Sequence, residues 1–196
     1  MAHYFTDQSE VEDRPFEIHF DLMDRSFSLH SNLGVFSKDK LDEGTRLLLE
    51  NVLKEQEPPK NCLDLGCGIG VVSIVLKSFW DTKMTLIDVN DRALSLAKEN
   101  MGSHHFEGEF FLKDRVDTGE YACIVCNPPI RIGKKPMYAL LDSALSHLEQ
   151  GGHLWIVIRK SHGAQSAIKH FEEQGCEVEK VDSKKGYWVL KITPGV

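Results

Sequence analysis

Between Asn61 and Gln174 short apolar runs alternate with longer stretches of helical spacing, and no other feature of the chain restricts its fold as much. The apolar runs at residues 62–65, 84–89, 106–112, 121–126 and 154–158 read as buried strands. Helical patterns lie between most of them, at 71–79, 92–100, 136–148 and 163–174. Strands joined by helices lie side by side when each connection crosses back over the sheet. The expected class is therefore α/β with a mostly parallel, doubly wound sheet. The C-terminal stretch departs from this pattern. Residues 176–181 and 187–193 flank Ser183-Lys184-Lys185-Gly186, a short glycine-containing turn. A hairpin is expected there, with the final strand antiparallel to its neighbour.

Ahead of this unit, Phe16, Ile18, Phe20 and Leu22 alternate with Glu17, His19 and Asp21, and Phe27 and Leu29 resume the alternation after Asp24-Arg25. A half-buried hairpin fits that period of two. Over residues 41–54, Leu41, Leu47, Leu48 and Val52 share a helical face, with Asp42 and Glu43 in the first turn and Pro58-Pro59 beyond the end. The expected organisation is a mobile polar tail over 1–15, a hairpin and helix over 16–60 packed on the core, and a core over 61–196, all within one domain. A chain of 196 residues suits that size. Its 23 Lys and Arg against 30 Asp and Glu give a formal charge of −7, which argues against indiscriminate nucleic-acid binding. No apolar run is long enough for a membrane span. The polar start lacks a secretory pattern. Five irregularly spaced cysteines fit free thiols in a reducing compartment, so a cytoplasmic location is expected.

Leu63-Asp64-Leu65-Gly66-Cys67-Gly68-Ile69-Gly70 joins the first core strand to its helix. Glycines there allow positive φ and let a ligand approach with no Cβ in the way, and the helix behind offers N–H groups. A dinucleotide-binding turn reads G-x-G-x-x-G. Here the spacing is G-x-G-x-G, with an acid two residues ahead. That pattern suits a ligand with a cationic amino-acid end and no pyrophosphate, such as S-adenosylmethionine. Asp64 offers a carboxylate for the ammonium group, directly or through water. A tight turn with no ligand is the alternative. The second strand ends Leu86-Ile87-Asp88-Val89-Asn90. Asp88 stands where an acid accepts hydrogen bonds from ribose hydroxyls, while Asn90 is the better cap for the next helix. Asp114, after the third strand, is either an acceptor for an adenine amino group or a solvated loop acid.

The fourth strand runs into Asn127-Pro128-Pro129-Ile130-Arg131. Two prolines directly after a buried strand interrupt its ladder, so they carry either a structural break or a site. The Asn127 side-chain oxygen and the Pro128 carbonyl are both acceptors, and proline rings fix their directions. An exocyclic amine is a poor nucleophile because its lone pair is delocalised into the ring. Hydrogen bonds to both of its hydrogens favour a pyramidal nitrogen, which is stabilisation aimed at the transition state.

Residues 62–70, Asp88 and residues 127–130 together resemble a class I S-adenosylmethionine-dependent methyltransferase of the Asn-Pro-Pro type. More narrowly, the chain resembles the small-subunit ribosomal RNA guanine-N2 methyltransferases and their short single-domain relatives. The resemblance covers nearly the whole chain, including Gly34-Val35-Phe36-Ser37, Asp42-Glu43-Gly44-Thr45-Arg46-Leu47-Leu48 and Leu154-Trp155-Ile156-Val157-Ile158-Arg159-Lys160. It implies a Rossmann-like, seven-stranded sheet with an antiparallel last strand. It implies that Asp64, Gly66, Cys67 (through its backbone), Gly68 and Gly70 line the methionine end of the cofactor. Asp88 and Val89 would lie at the ribose, and Asp114 at the adenine. Phe36 and Ser37 would close over the transfer site, where Asn127 and Pro128 hold the target amine. Many such enzymes place an aromatic residue after the two prolines, to stack on the flipped base. Ile130 takes that position here, and an aliphatic side chain sandwiches a ring by dispersion without the stacking preference. Longer members carry a second, duplicated domain in front. None lies within these residues, so recognition is expected from the hairpin, the loops or a folded ribosomal particle.

Arg131, Lys134 and Lys135 follow the fourth strand, Arg159, Lys160 and His162 the fifth, and Lys184 and Lys185 lie in the terminal turn. A doubly wound sheet brings all of these to its carboxyl edge, where ligands bind. Cations gathered there on an acidic chain suit RNA, with ribosomal RNA as the expected partner and the protein as a monomer or weak dimer. Trp155 and Trp188 read as core. Cys123 and Cys126, three apart on a strand, face opposite sides, so no metal site is expected. The expected activity is methylation of an exocyclic amine, with guanine N2 of small-subunit ribosomal RNA foremost. Adenine N6, a protein glutamine amide and a catalytically idle RNA-binding or ribosome-assembly module are the alternatives. A nucleotide-dependent oxidoreductase is disfavoured by the glycine spacing and the Asn-Pro-Pro turn.

Overall fold

The computed structural model describes residues 13–33 and 40–196. Phe36 and Ser37, and most of the tail expected over 1–15, lie outside the described residues. The chain opens with a hairpin of β1 (Pro15–Leu22) and β2 (Arg25–Asn32), followed by α1 (Glu43–Glu55). Then come β3 (Asn61–Leu65), α2 (Val71–Phe79), β4 (Lys83–Asp88), α3 (Asp91–Ser103), β5 (Gly108–Leu112) and β6 (Tyr121–Cys126). A single 3-10 turn, Ile130–Ile132, leads into α4 (Lys134–Leu145) and β7 (Leu148–Arg159). The chain continues through a second 3-10 turn at Lys160–His162, α5 (Ala164–Glu173), β8 (Glu177–Lys184) and β9 (Tyr187–Thr193). The main sheet has seven strands in the order β5-β4-β3-β6-β7-β9-β8. β3 to β7 are parallel neighbours, and β9 runs antiparallel to both β7 and β8. This is the α/β sheet with an antiparallel last strand that was expected.

Alternation along the buried strands divides the core in two. Cys62, Cys123, Val125 and Trp155 face a cluster built with α1, α2, α3 and the hairpin. Leu63, Leu65, Ile124, Cys126 and Ile156 face a second cluster with Met137 and Leu141 of α4 and Phe171 of α5. Cys123 and Cys126 therefore lie on opposite faces, as their spacing required. Several boundaries differ from expectation, among them the end of α4 at Leu145 and of β8 at Lys184, and two have a clear local cause. Helix α4 starts at Lys134 because Pro136 is tolerated in a first turn, where its missing N–H costs no hydrogen bond. Strand β7 reaches back to Leu148, through Gly151-Gly152, because an irregularity between Tyr121 and Cys123 absorbs the extra residues.

The hairpin packs Ile18, Phe20, Leu22, Phe27 and Leu29 inward, with the Phe20 and Phe27 rings stacked at 5.2 Å. Asn100, fully buried in α3, fixes its position. Its Oδ1 accepts from the His30 N–H at 2.8 Å, and its Nδ2 donates to the His30 carbonyl at 2.9 Å. The same Nδ2 donates to the Ile69 carbonyl at 2.9 Å, so one amide links the hairpin to the glycine turn. Among the described residues no helix is long and apolar enough to cross a membrane.

Candidate active site

The glycine turn is drawn over the end of β4. The Ile87 carbonyl accepts from the N–H groups of Gly66 (2.8 Å) and Cys67 (3.0 Å). Gly66 and Gly68 take φ of +70° and +55°, with open space on the side a Cβ would occupy. Gly70, at φ +94°, instead presses against Ala97 of α3. The first two glycines thus leave a cradle for a ligand, and the third allows close helix packing. Asp88 braces the cradle, its Oδ2 accepting from the Gly68 N–H and its Oδ1 from the Asn90 N–H, both at 2.8 Å. Asn90 caps α3 through the Ala93 N–H, the role its position predicted.

Asp64 sits elsewhere than at the mouth of the turn. It is 2% exposed, and its Oδ2 accepts from the Ser73 N–H (3.1 Å) and hydroxyl (2.7 Å). Gly70 provides no side-chain cap, so Asp64 serves the start of α2 from the preceding strand. Burial pushes its carboxyl up to about 7, against the pull of the Ser73 hydrogen bonds, and the charge of Asp88 adds to the rise. The sequence offered no signal for Ser73, because nothing in the first turn of a helix marks it as the partner of an upstream acid.

Leu65 and Cys126 are register partners, so Gly66 and Asn127 each follow the last paired residue of neighbouring strands. Asn127 is exposed and Pro128 is buried. The Pro128 carbonyl, expected to face a target amine, already accepts the Ile130 N–H at 2.9 Å and so keeps one lone pair. Ile130 is half-buried and packs part of its side chain against the α4 face of the core. Unforeseen in the sequence, Asn127 Nδ2 donates to Thr45 Oγ1 (3.0 Å) and Asp42 Oδ2 (3.3 Å) at the start of α1. A carboxylate only accepts, so the amide nitrogen must face α1 and the oxygen is turned away from it.

The remaining expected residues line the same edge. Asp114 is exposed in the loop after β5, next to Lys113, whose N–H reaches the Asp88 carbonyl at 3.1 Å. Val89 is 50% exposed beside Asp88. The Lys160 N–H donates to the Gly186 carbonyl at 2.9 Å, which joins the end of β7 to the β8–β9 turn. Lys185 pairs with Glu43 at 3.0 Å and holds that carboxyl below its usual range. Arg159 donates to the Tyr187 hydroxyl at 2.9 Å and lies over its ring. Arg131, Lys134, Lys135, Lys160 and Lys184 are exposed, while Arg159 and Lys185 are engaged by Tyr187 and Glu43.

The chain is 39% identical over 197 residues to the protein YbxB of Bacillus subtilis (strain 168), covering 96% of each. It is 34% identical over 140 residues to the ribosomal RNA small subunit methyltransferase C of Haemophilus influenzae (strain 86-028NP), across 68% of this chain. It spans 42% of that relative's length. In structure it resembles the T. Thermophilus 16S rRNA N2 methyltransferase in complex with AdoMet and guanosine. That match has a TM-score of 0.80 and 19% identity, and covers 92% of this chain and 50% of the other. A methyltransferase from Pyrococcus furiosus shares the fold at a TM-score of 0.66 and 20% identity, over 78% of this chain and 82% of that one. The family model for the methyltransferase small domain matches residues 26–191, and the chain belongs to that family.

Proposed function

We propose that this chain is an S-adenosylmethionine-dependent methyltransferase acting on an exocyclic amine, guanine N2 of small-subunit ribosomal RNA. The observation that carries this reading is the Asn127 side chain. It is exposed at the end of β6, next to the strand that feeds the glycine turn, its nitrogen is occupied by α1 and its oxygen is left as an acceptor. The open cradle over Gly66 and Gly68 fits the cofactor, because that side of the turn has room where other residues would put a Cβ. When bound, the cofactor supplies a methyl group on a sulfonium sulfur.

The residues of the chain then divide the work. Gly66, the Cys67 backbone and Gly68 form the bed of the methionine end, with Gly70 packing the turn onto α3 behind them and Asp64, once ionised, contributing negative charge toward the ammonium group. Asp88 keeps lone pairs for ribose hydroxyls in addition to its two backbone bonds, because a carboxylate has about four acceptor sites. Val89 and Asp114 flank the adenine. Asn127 Oδ1 and the free lone pair of the Pro128 carbonyl accept the two amine hydrogens, and the nitrogen lone pair is then directed at the methyl carbon. As the new N–C bond forms and the methyl–sulfur bond breaks, its electron pair staying on sulfur, positive charge would develop on that nitrogen and both acceptors would hold it more tightly. The proton becomes acidic and leaves to solvent, so no strong base is required.

An unstacked base has to reach Asn127, as for other enzymes that work on bases. Arg131, Lys134, Lys135, Lys160 and Lys184 would meet the phosphates around it, joined by Arg159 and Lys185. The relatives named for ribosomal RNA methylation support this choice of substrate. A ribosomal particle in the cytoplasm is the partner it implies. The test is transfer of labelled methyl groups to small ribosomal subunits, free ribosomal RNA, DNA and a release-factor-type protein. Incorporation at guanine N2 of the subunit or its RNA is expected. Labelling of DNA adenine or of a glutamine amide would replace the substrate assignment, and no labelling would end it.

A further inference from the structure

Asn127 is anchored by a chain of groups at the start of α1. Thr45 Oγ1 has a single proton, which it donates to Asp42 Oδ2 at 3.3 Å, and it accepts from Asn127 Nδ2 at 3.0 Å. Asp42 Oδ2 also takes the Thr45 N–H at 2.9 Å, as N-cap of α1, and receives Asn127 Nδ2 directly at 3.3 Å. Building on the reading above, we propose that Asp42 and Thr45 are positioning residues. They hold the Asn127 amide with its oxygen toward the reacting amine and strengthen that oxygen as an acceptor.

Two physical effects support this. An exposed amide turned by half a revolution has nearly the same shape but presents N–H2 where an acceptor is needed, donor against donor. The Asp42 carboxylate removes that choice, since it takes only the nitrogen side. The second effect is polarisation. An amide whose N–H groups bond toward a negative charge shifts electron density onto its oxygen, and hydrogen-bond chains reinforce one another in this way. The increased charge on Oδ1 matters most when the bound nitrogen turns positive, so the effect falls on turnover and spares cofactor binding. The chain also explains why α1 belongs to the site. The cap that starts this helix is the group that orients a residue at the tip of β6.

The experiment uses Asp42→Asn, Thr45→Val and Thr45→Ser, each alone and with Asn127→Ala. Asparagine caps a helix as well as aspartate, so Asp42→Asn keeps α1 intact while removing the charge. Methyl transfer from labelled S-adenosylmethionine to small ribosomal subunits gives kcat and KM, and nitrogen-15 NMR follows the Asn127 side-chain amide. Thr45→Val and Asp42→Asn are each expected to lower kcat about tenfold, the scale of a hydrogen bond to a charged group, with the cofactor KM unchanged. Thr45→Ser restores kcat, the amide resonance moves in Thr45→Val, and neither change lowers kcat further once Asn127 is alanine. An unmoved resonance, an unaltered kcat, or an equal loss in the Asn127→Ala background overturns the positioning role. A wild-type protein that methylates no acceptor, with the resonance still moving, overturns the parent reading instead.

Discussion

The hydroxyl of Ser73 donates to Asp64 Oδ2 across 2.7 Å, tying the first turn of α2 to the strand before it through a carboxyl group displaced to about 7. The native state therefore holds a proton that the unfolded chain, with the group near 3.8, has already released. Native stability from this group is full below pH 3.8 and is lost as pH rises through about 7. Asp64→Asn keeps an acceptor for Ser73 and removes the titration. Urea unfolding between pH 4 and 8 should show the wild type losing stability relative to the variant as pH rises. Parallel curves would separate Asp64 from that pH dependence.

A cation placed above the turn favours ionised Asp64, so the bound ammonium group should lower that carboxyl and expel a proton near neutral pH. Calorimetry of S-adenosylmethionine binding at pH 7, in buffers of different ionisation enthalpy, should report net proton release. Asp64→Asn should abolish it. Release that persists in the variant would assign the proton to another group.

Asn127→Ala removes an acceptor that matters most in the transition state. Turnover should fall by about 100-fold or more while the cofactor dissociation constant stays close to wild type. Single-turnover methyl transfer and equilibrium dialysis measure the two quantities separately. A large loss of cofactor affinity with turnover preserved would move Asn127 from the chemistry to the cofactor bed.

Asp88 both braces Gly68 and faces the proposed ribose position. Asp88→Ala should weaken S-adenosylmethionine binding by roughly 1–3 kcal/mol, with Asp88→Asn losing less because one acceptor remains. Titration calorimetry provides the comparison, and equal affinities in all three proteins would clear Asp88 of any part in binding.

Asn100→Leu strips partners from both backbone groups of His30 and from the Ile69 carbonyl. Stability should drop by about 2–4 kcal/mol, because buried polar groups are left unpaired. Cofactor affinity should drop with it, since the glycine turn loses its tie to α3. Denaturant unfolding and dialysis would show whether the two losses travel together.

Most of the architecture was legible because its signals are local. Period-two alternation marked the hairpin, and continuous apolar runs between helices marked the parallel strands. The glycine-containing stretch Ser183-Lys184-Lys185-Gly186 marked the reversed last strand, whose turn the structure narrows to Lys185-Gly186. The glycine turn and the Asn-Pro-Pro turn were visible for the same reason: each is a short motif read from adjacent residues. What escaped were contacts across long stretches of chain. Asp42 reads locally as an ordinary helix cap, and its bond to Asn127 arises only when α1 docks beside β6. Asn100 looks like the polar end of a helix pattern, yet it is a fully buried hub. Asp64 was placed on the correct strand tip, but no pattern disclosed that α2 would occupy its carboxylate.

The place of β9 between β7 and β8 has a consequence for how the chain is assembled. β8 comes earlier in sequence, yet it never touches β7 in the ladder, so it cannot shield that strand. Until β9 arrives, the outer margin of β7 through Trp155, Ile156, Val157 and Ile158 is an apolar border open to any other extended segment. A chain cut short at Gly186 would expose a surface that invites self-association.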